Sequence, residues 1–175
     1  MFSQTPAPAT PRVMGVDTSL RATGIGIIEA SGSRMLPVYY GSIKNPASRS
    51  LSACLLFIQA EITSLIIAHA PTVVAIEGIF YAKNVKTMLL LSHARGVIVA
   101  ACAQQGIPVY EYAPRRVKMA VAGYGGAQKT QIQKMIKALL HLPAEPQHDA
   151  ADALALAITY LHNRTALSAA NTPAI

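Results

Sequence analysis

The chain has 175 residues, 52% of them apolar, so we expect one domain with a single substantial hydrophobic core. No uninterrupted apolar run reaches the roughly 18 residues of a membrane span, and the N-terminus lacks the basic and apolar regions of a secretory signal. The net charge of +7 favours a polyanionic partner, commonly a nucleic acid, although charge for solubility alone would also explain it.

The first part of the chain predicts three strands and a helix. We expect residues 1–11, rich in Pro, Ala and Thr, to form a disordered leader. Short apolar runs at 13–17, 23–29 and 35–41 are separated by Gly and Ser, which is typical of an antiparallel meander. Apolar residues at helical spacing then predict a helix over 48–70.

The rest of the chain alternates strands and helices. A β-branched run at 72–77 predicts a strand that is covered on both faces, and 107–112 predicts the last strand. An apolar helix is expected over 84–105. A basic helical segment over 114–142, interrupted by the sequence GYGG, precedes a final helix over 146–161.

This order of elements predicts an α/β fold with a mixed five-stranded sheet and helices on both faces. No linker divides the chain, so we expect one domain over 12–162 and a disordered tail over 163–175. Open sheets of this kind bind ligands beyond the carboxyl ends of their strands.

The chain contains only eight carboxylic acids, so their positions are informative. Asp17 and Glu77 end two strands that could be neighbours, while Asp149 and Asp152 lie on one side of the final helix. If that helix crosses the strand ends, four carboxylates converge. Such a cluster needs counter-charge, and Mg²⁺ or Mn²⁺ prefers ligands that are all oxygen. The sequence therefore indicates a candidate metal site.

Each acid alone also has a simpler explanation. Asp149 could complement the helix dipole, Asp17 could begin a turn, and Glu77 could lie at a sheet edge. Asp152 is harder to explain, because its Ala and Leu neighbours imply burial. The hypothesis depends on the coincidence of all four. We expect His148, four residues before Asp152, to support the site or to face a nucleic acid rather than to bind metal.

The segment 114–141 carries basic residues and no acid. Solvated helix faces usually mix charges of both signs, whereas charge of a single sign favours contacts to phosphates. The candidate phosphate-contacting residues are Arg115, Arg116, Lys118, Lys129, Lys134 and Lys137.

Five stretches occur in order: GVDTSLRATGIGII, AIEGIFYAKN, HARGV, EYAPRRVKMAVAGYGGAQKTQIQKMI and LPAEPQHDAADALALAI. Together they resemble the RuvC family of bacterial Holliday-junction resolvases, from about Met14 to Leu161. The resemblance implies an RNase H-like fold. The chain departs from many relatives in having Thr18 and Ser19 where they have Pro-Gly, and Gly78 where they have Gln.

The resemblance implies a homodimeric endonuclease that hydrolyses one phosphodiester in each of two opposed strands of a four-way DNA junction, in recombination and repair. The family's acidic ligands fall on the four acids above, with two Mg²⁺ or Mn²⁺ ions per subunit and Asp17 as the bridging ligand. Lys118 and Lys129 match lysines near the scissile phosphate. Phe80 matches an aromatic that stacks on an unpaired base, with packing on the core as the alternative, and we expect Tyr81 and Lys83 to contact DNA beside it.

Two other protein classes stay open. The stretch GVDTSLRATG also resembles the phosphate loop of actin-like ATPases and sugar kinases, which need two such domains. A non-enzymatic DNA-binding module would explain the basic surface but not the four acids. The resemblance further implies a branch-migration partner, the helicase complex RuvAB. The spacing of Cys54 and Cys102 suits neither a zinc site nor a disulfide scaffold, which fits a reducing cytoplasm.

Overall fold

The structure is a computed structural model that describes residues 11–78, 84–165 and 174–175. The residues Phe80, Tyr81 and Lys83, predicted to contact DNA, lie outside the described residues, as do ten of the eleven residues of the predicted leader.

The described strands form one mixed sheet in the order β3-β2-β1-β4-β5, which confirms the expected five strands and the antiparallel meander. β2 pairs antiparallel with β1 and β3, whereas β4 pairs parallel with β1 and β5. Because β1 and β4 are parallel neighbours, Asp17 and Glu77 end at the same edge of the sheet. The strands are β1 (Arg12–Asp17), β2 (Ala22–Ser31), β3 (Arg34–Lys44), β4 (Val73–Glu77) and β5 (Val109–Tyr112).

Helices cover both faces of the sheet, as expected. Alternate strand residues point to opposite faces, so the core is divided into two layers. One layer packs under the first two helices, and the other packs under the last three. The helices are α1 (Leu51–His69), α2 (Val85–Gln104), α3 (Pro114–Ala122), α4 (Lys129–Leu139) and α5 (His148–Thr165).

Local signals explain the helix boundaries. The Ser50 hydroxyl accepts a hydrogen bond from the Ala53 N–H at the start of α1. Gly123, with φ of 81°, ends α3 in the left-handed conformation, so GYGG does separate two helices as predicted.

The predicted tail boundary at residue 163 is wrong, because α5 continues to Thr165. Two contacts explain the extension. Leu161 is buried in the core, and a ring nitrogen of His162 lies 2.9 Å from the Ala120 carbonyl oxygen in α3. These contacts hold the last turns of α5 in place.

α5 lies directly on the backbone of β1 and β2. A Cβ atom at Gly15 would lie 1.9 Å from the Ala153 carbonyl oxygen, and one at Gly24 would lie 1.9 Å from that of Asp149. Only glycine permits such an approach between a helix and a strand. This packing carries the first turns of α5 across the end of β1.

α1 and α2 are each long and apolar enough to cross a membrane, by length and composition only. The uninterrupted apolar runs are shorter, because Glu61 interrupts α1 and Arg95 interrupts α2. Both helices contribute buried residues to the layer of the core that they cover, such as Ile58 and Ile98. They are therefore helices of the folded domain, and most of their outer surface remains exposed.

Candidate functional site

The four predicted acids meet where β1 and β4 end beneath α5. Asp17, Glu77 and Asp152 line a single cleft of about 240 Å³, which α3 and α4 close on the far side. Asp149 lies one turn earlier in α5 and acts electrostatically on Asp17. Residues far apart in the sequence are thus brought to one place by two strand ends and one helix.

Burial and like charge make this cluster electrostatically unfavourable. Burial, followed by repulsion from Asp152, Glu77 and Asp149, raises the pKa of Asp17 from 3.8 to about 7, although Lys129 opposes the shift. Burial and then Asp152 also raise the pKa of Glu77. Near neutral pH the half-buried Asp17 carboxyl is therefore divided between its two protonation states unless a cation compensates its charge.

Lys118 and Lys129 line the same cleft as the acids. Lys129 Nζ lies 3.5 Å from Asp152 Oδ2, and both lysines favour the charged form of Glu77. The Lys129 side chain is 72% exposed, so its ion pair with Asp152 is screened by water and adds little stability. Both ammonium groups are available at the mouth of the cleft.

The chemistry of the donors fits a hard divalent cation, because every candidate ligand is a carboxylate oxygen. The Thr18 hydroxyl beside Asp17 is also buried and has no hydrogen-bond partner in the described part of the chain. Within those residues, however, no three His, Cys, Asp or Glu side chains stand close enough to hold an ion as they are. Binding of a cation at this place would therefore require these carboxylates to move closer together.

A second cleft shares Asp17 and Glu77 and extends towards α2. Its lining includes Thr18, Gly78 and Arg95. Arg95 is not among the site residues predicted from the sequence. The available signal was an arginine in the middle of a helix rich in apolar residues, where a charged side chain needs a partner.

The predicted phosphate contacts are not all alike. Arg115 and Lys134 are exposed, and Lys137 is half-buried. Arg116 is exposed but donates to Asn163 Oδ1 at 3.3 Å, with its guanidinium 5.8 Å from the centre of the Tyr112 ring. His148 is exposed at the first residue of α5. Arg115, Arg116, Lys134 and Lys137 lie on α3 and α4, the two helices that also contribute to the lining of the cleft, and their roles stay predictions.

The family model described as crossover junction endodeoxyribonuclease RuvC matches residues 13–160. Two relatives carry that same name. The protein from Caldicellulosiruptor saccharolyticus is 45% identical over 152 residues, 86% of this chain and 92% of the relative. The protein from Halorhodospira halophila is 44% identical over 164 residues, which are 93% of this chain and 98% of the relative.

Solved structures of Holliday junction resolvases are also similar to this chain. RuvC from Thermus thermophilus in complex with a Holliday junction substrate superposes with a TM-score of 0.87 and 25% identity, over 94% of this chain and 99% of that one. The yeast mitochondrial Holliday junction resolvase Ydc2 shares the fold. It superposes with a TM-score of 0.63 and 13% identity, over 90% of this chain and 82% of its own. The expected fold class is therefore confirmed.

The raised pKa of Asp17 gives a prediction for the metal-free protein. The pKa of Asp17 is about 7 in the folded protein and about 3.8 in the unfolded chain. A carboxyl with such a raised pKa contributes stability that is fully present below pH 3.8 and is lost as pH rises through about 7. Asp17→Asn should therefore raise the melting temperature in EDTA, by little at pH 5 and by more at pH 8. Thermal unfolding across this range measures the difference.

Glu145→Gln is the matched control, because Glu145 is an exposed acid outside the cleft. Its effect on the melting temperature should be small at every pH. If the increase in melting temperature from Asp17→Asn does not grow with pH, the Asp17 carboxyl is not destabilised in the folded protein by burial and by repulsion from the other acids.

Proposed function

The chain belongs to the RuvC family of crossover junction endodeoxyribonucleases, and we propose that it cuts DNA in the cleft at Asp17. The protein resolves Holliday junctions in DNA recombination and repair. The observation that carries the assignment of the cleft is the convergence of four of its eight acids beneath α5, beside a segment of purely positive charge.

Asp17, Glu77, Asp149 and Asp152 hold the metal in this proposal. RuvC nucleases are metal-dependent in general, and we propose two Mg²⁺ or Mn²⁺ ions per subunit. The support is a donor set of oxygen atoms alone and a half-buried Asp17 carboxyl that lacks a full counter-charge. Asp17 suits a bridging role because it ends the central strand and is repelled by each of the other three acids. When bound, the ions supply activation of the attacking water and stabilisation of the leaving oxygen.

Hydrolysis consumes one water at each nick. The water oxygen forms a bond to phosphorus while the bond from phosphorus to the 3′ oxygen breaks, which leaves a 5′-phosphate and a 3′-hydroxyl. Lys118 and Lys129 then act on the phosphoryl group, whose negative charge must be stabilised in the transition state. Their ammonium groups border the same cleft as the acids, which supports this role.

The remaining basic residues supply affinity for DNA without reading its sequence. Arg115 and Lys134 are exposed and available to phosphates, and Arg116 and Lys137 extend the same positive surface along α3 and α4. We also propose Phe80 as a contact at the junction centre, by family resemblance, and Tyr81 and Lys83 as contacts to DNA.

We propose a homodimer formed through the outer faces of α1 and α2. These faces expose large apolar side chains, with Leu56 68% exposed, Ile67 71%, Val85 62% and Leu89 53%. A patch of this kind marks an interaction surface. Gly96 lies on the same side of α2, and a Cβ there would meet nothing within 4 Å, so another helix can approach closely. A two-fold dimer presents two sites to two symmetric strands.

We also propose that the protein works in the cytoplasm with the branch-migration complex RuvAB. Both cysteines of the chain are free and buried, which fits a reducing compartment. RuvAB is proposed by family resemblance.

The proposed chemistry is tested with a synthetic four-way junction and a linear duplex, each incubated with Mg²⁺, Mn²⁺ or EDTA. We expect cutting of the junction alone, and only with a metal. Asp17→Asn, Glu77→Gln, Asp149→Asn and Asp152→Asn should each abolish cleavage and leave the affinity for the junction intact or higher, because removing a negative charge eases the approach of phosphates.

Glu145→Gln should cleave as the unmodified protein does. If any one of these four variants cuts at nearly the rate of the unmodified protein, the substituted residue is not part of the proposed metal site. Equal cutting of the duplex would contradict the restriction to junctions, and tight ATP binding without cutting would favour the actin-like alternative.

The two lysines of the cleft should differ from the outer basic residues. Lys118→Ala and Lys129→Ala should lower the rate of cleavage by roughly 100-fold in single-turnover assays with saturating protein, since each removes a charge near the reacting phosphate. Arg115→Ala and Lys134→Ala should instead weaken binding and reduce its dependence on salt. If all four weaken binding equally and preserve the rate, the catalytic role of the lysines is wrong.

The dimer should form at micromolar concentration and be sensitive to charge on α2. Val85→Lys and Leu89→Lys place like charges at a two-fold interface, and each should shift the protein towards monomer in sedimentation velocity. Leu36→Lys, at an exposed apolar position on β3, is the control and should leave the dimer intact. A monomeric unmodified protein would contradict both the dimer and the paired cutting that depends on it.

A further inference from the structure

Arg95, in the middle of α2, joins three elements at the edge of the site. Its Nη1 donates a hydrogen bond of 3.1 Å to the backbone carbonyl oxygen of Glu77, the last residue of β4. Its Nη2 pairs with the carboxylate of Glu111 in β5. The Arg95 side chain is only 15% exposed, whereas that of Glu111 is 38% exposed, so the ion pair is partly open to water.

Hydrogen bonds from two sides restrain the backbone at the end of β4. On the side of β5, the Gly78 N–H donates to the Tyr112 carbonyl oxygen at 2.9 Å. On the side of α2, Arg95 holds the carbonyl of Glu77. The residue that carries one of the four acids is therefore restrained by two neighbouring elements just where its strand ends.

The guanidinium makes two contacts within the protein. Although Arg95 lines the cleft that contains Asp17 and Thr18, both of its terminal nitrogens already have acceptors. The planar fork of arginine suits this double contact, which a lysine ammonium cannot reproduce in the same geometry.

We propose that Arg95 is a positioning residue that fixes Glu77 for metal binding, with Glu111 holding Arg95 in place. The inference rests on the proposed function, because it takes Glu77 as a metal ligand. Glu77 needs this restraint, since repulsion from Asp152 acts to drive it out of the cluster. Partners that orient metal ligands typically contribute about 10–100-fold to metal affinity.

The test measures Mn²⁺ binding to the protein without DNA, by calorimetry or electron paramagnetic resonance. The variants are Arg95→Met, Arg95→Lys and Glu111→Gln. We expect Arg95→Met to weaken Mn²⁺ binding by roughly tenfold or more. Arg95→Lys should restore part of the affinity, and Glu111→Gln should show a smaller loss than Arg95→Met because the contact to Glu77 remains. Affinity for the junction in EDTA should not change.

Arg12→Met is the matched control. Arg12 also bridges a carboxylate, that of Glu29, and a backbone carbonyl, that of His69, but it lies at the opposite end of β1 from Asp17. Arg12→Met should lower the melting temperature about as much as Arg95→Met and bind Mn²⁺ as the unmodified protein does. This comparison separates positioning of the ligand from general stability.

Unchanged Mn²⁺ binding in Arg95→Met, or an equal loss in Arg12→Met, would overturn the inference. If Arg95→Met does not fold, Glu111→Gln decides, because unchanged Mn²⁺ binding in that variant would overturn the role of the pair. Failure of the unmodified protein to bind Mn²⁺ would overturn the proposed metal site and this inference with it. If the unmodified protein binds Mn²⁺ and the variants bind it equally well, this inference alone is overturned.

Discussion

The site depends on the direct contact between the backbone of α5 and the backbone of the central strands. Gly24 pairs with Asp17 in the register of β1 and β2, and a Cβ at Gly24 would lie 1.9 Å from the Asp149 carbonyl oxygen. One missing side chain therefore sets the distance between the acids of α5 and the acid of β1. An alanine at this position would push the helix off the sheet by an ångström or more, and Asp152 would move with it.

This convergence costs stability, because repulsion between carboxylates is strongest where burial removes the screening of water. The two apolar layers of the core offset that cost from both faces of the sheet. Lys118 and Lys129 offset it only in part, since one of them is largely exposed and screened. A fold that brings half of its eight acids together around one cleft has an unfavourable local arrangement that a bound cation would relieve. In the proposed function, this instability would contribute to the affinity for the cation.

Much of this organisation can be predicted from the sequence, because it depends on local pattern. The strands and helices follow from hydrophobic spacing, and the acids stand out because acids are rare in this chain. The contact of α5 is harder to predict, although Gly24 and Gly26 alternate on one face of β2, and glycine in a strand often marks the approach of another backbone. Arg95 could not be assigned a role from sequence, since both of its partners come from other strands and only the tertiary fold brings them to α2.

α2 connects the proposed site to the proposed dimer surface. Arg95 and Leu91, one turn apart, line the cleft beside Asp17, whereas Val85 and Leu89 lie on the exposed stripe that continues to Gly96. The two stripes belong to one helix, so they are separated by no more than its diameter of about 10–12 Å. Because a packed helix moves as a unit, any partner that binds the outer stripe also restrains the helix that holds Glu77. In the proposed two-fold dimer this restraint would act equally on both subunits, so the contact that aligns the two proposed metal sites with two opposed strands would also support them.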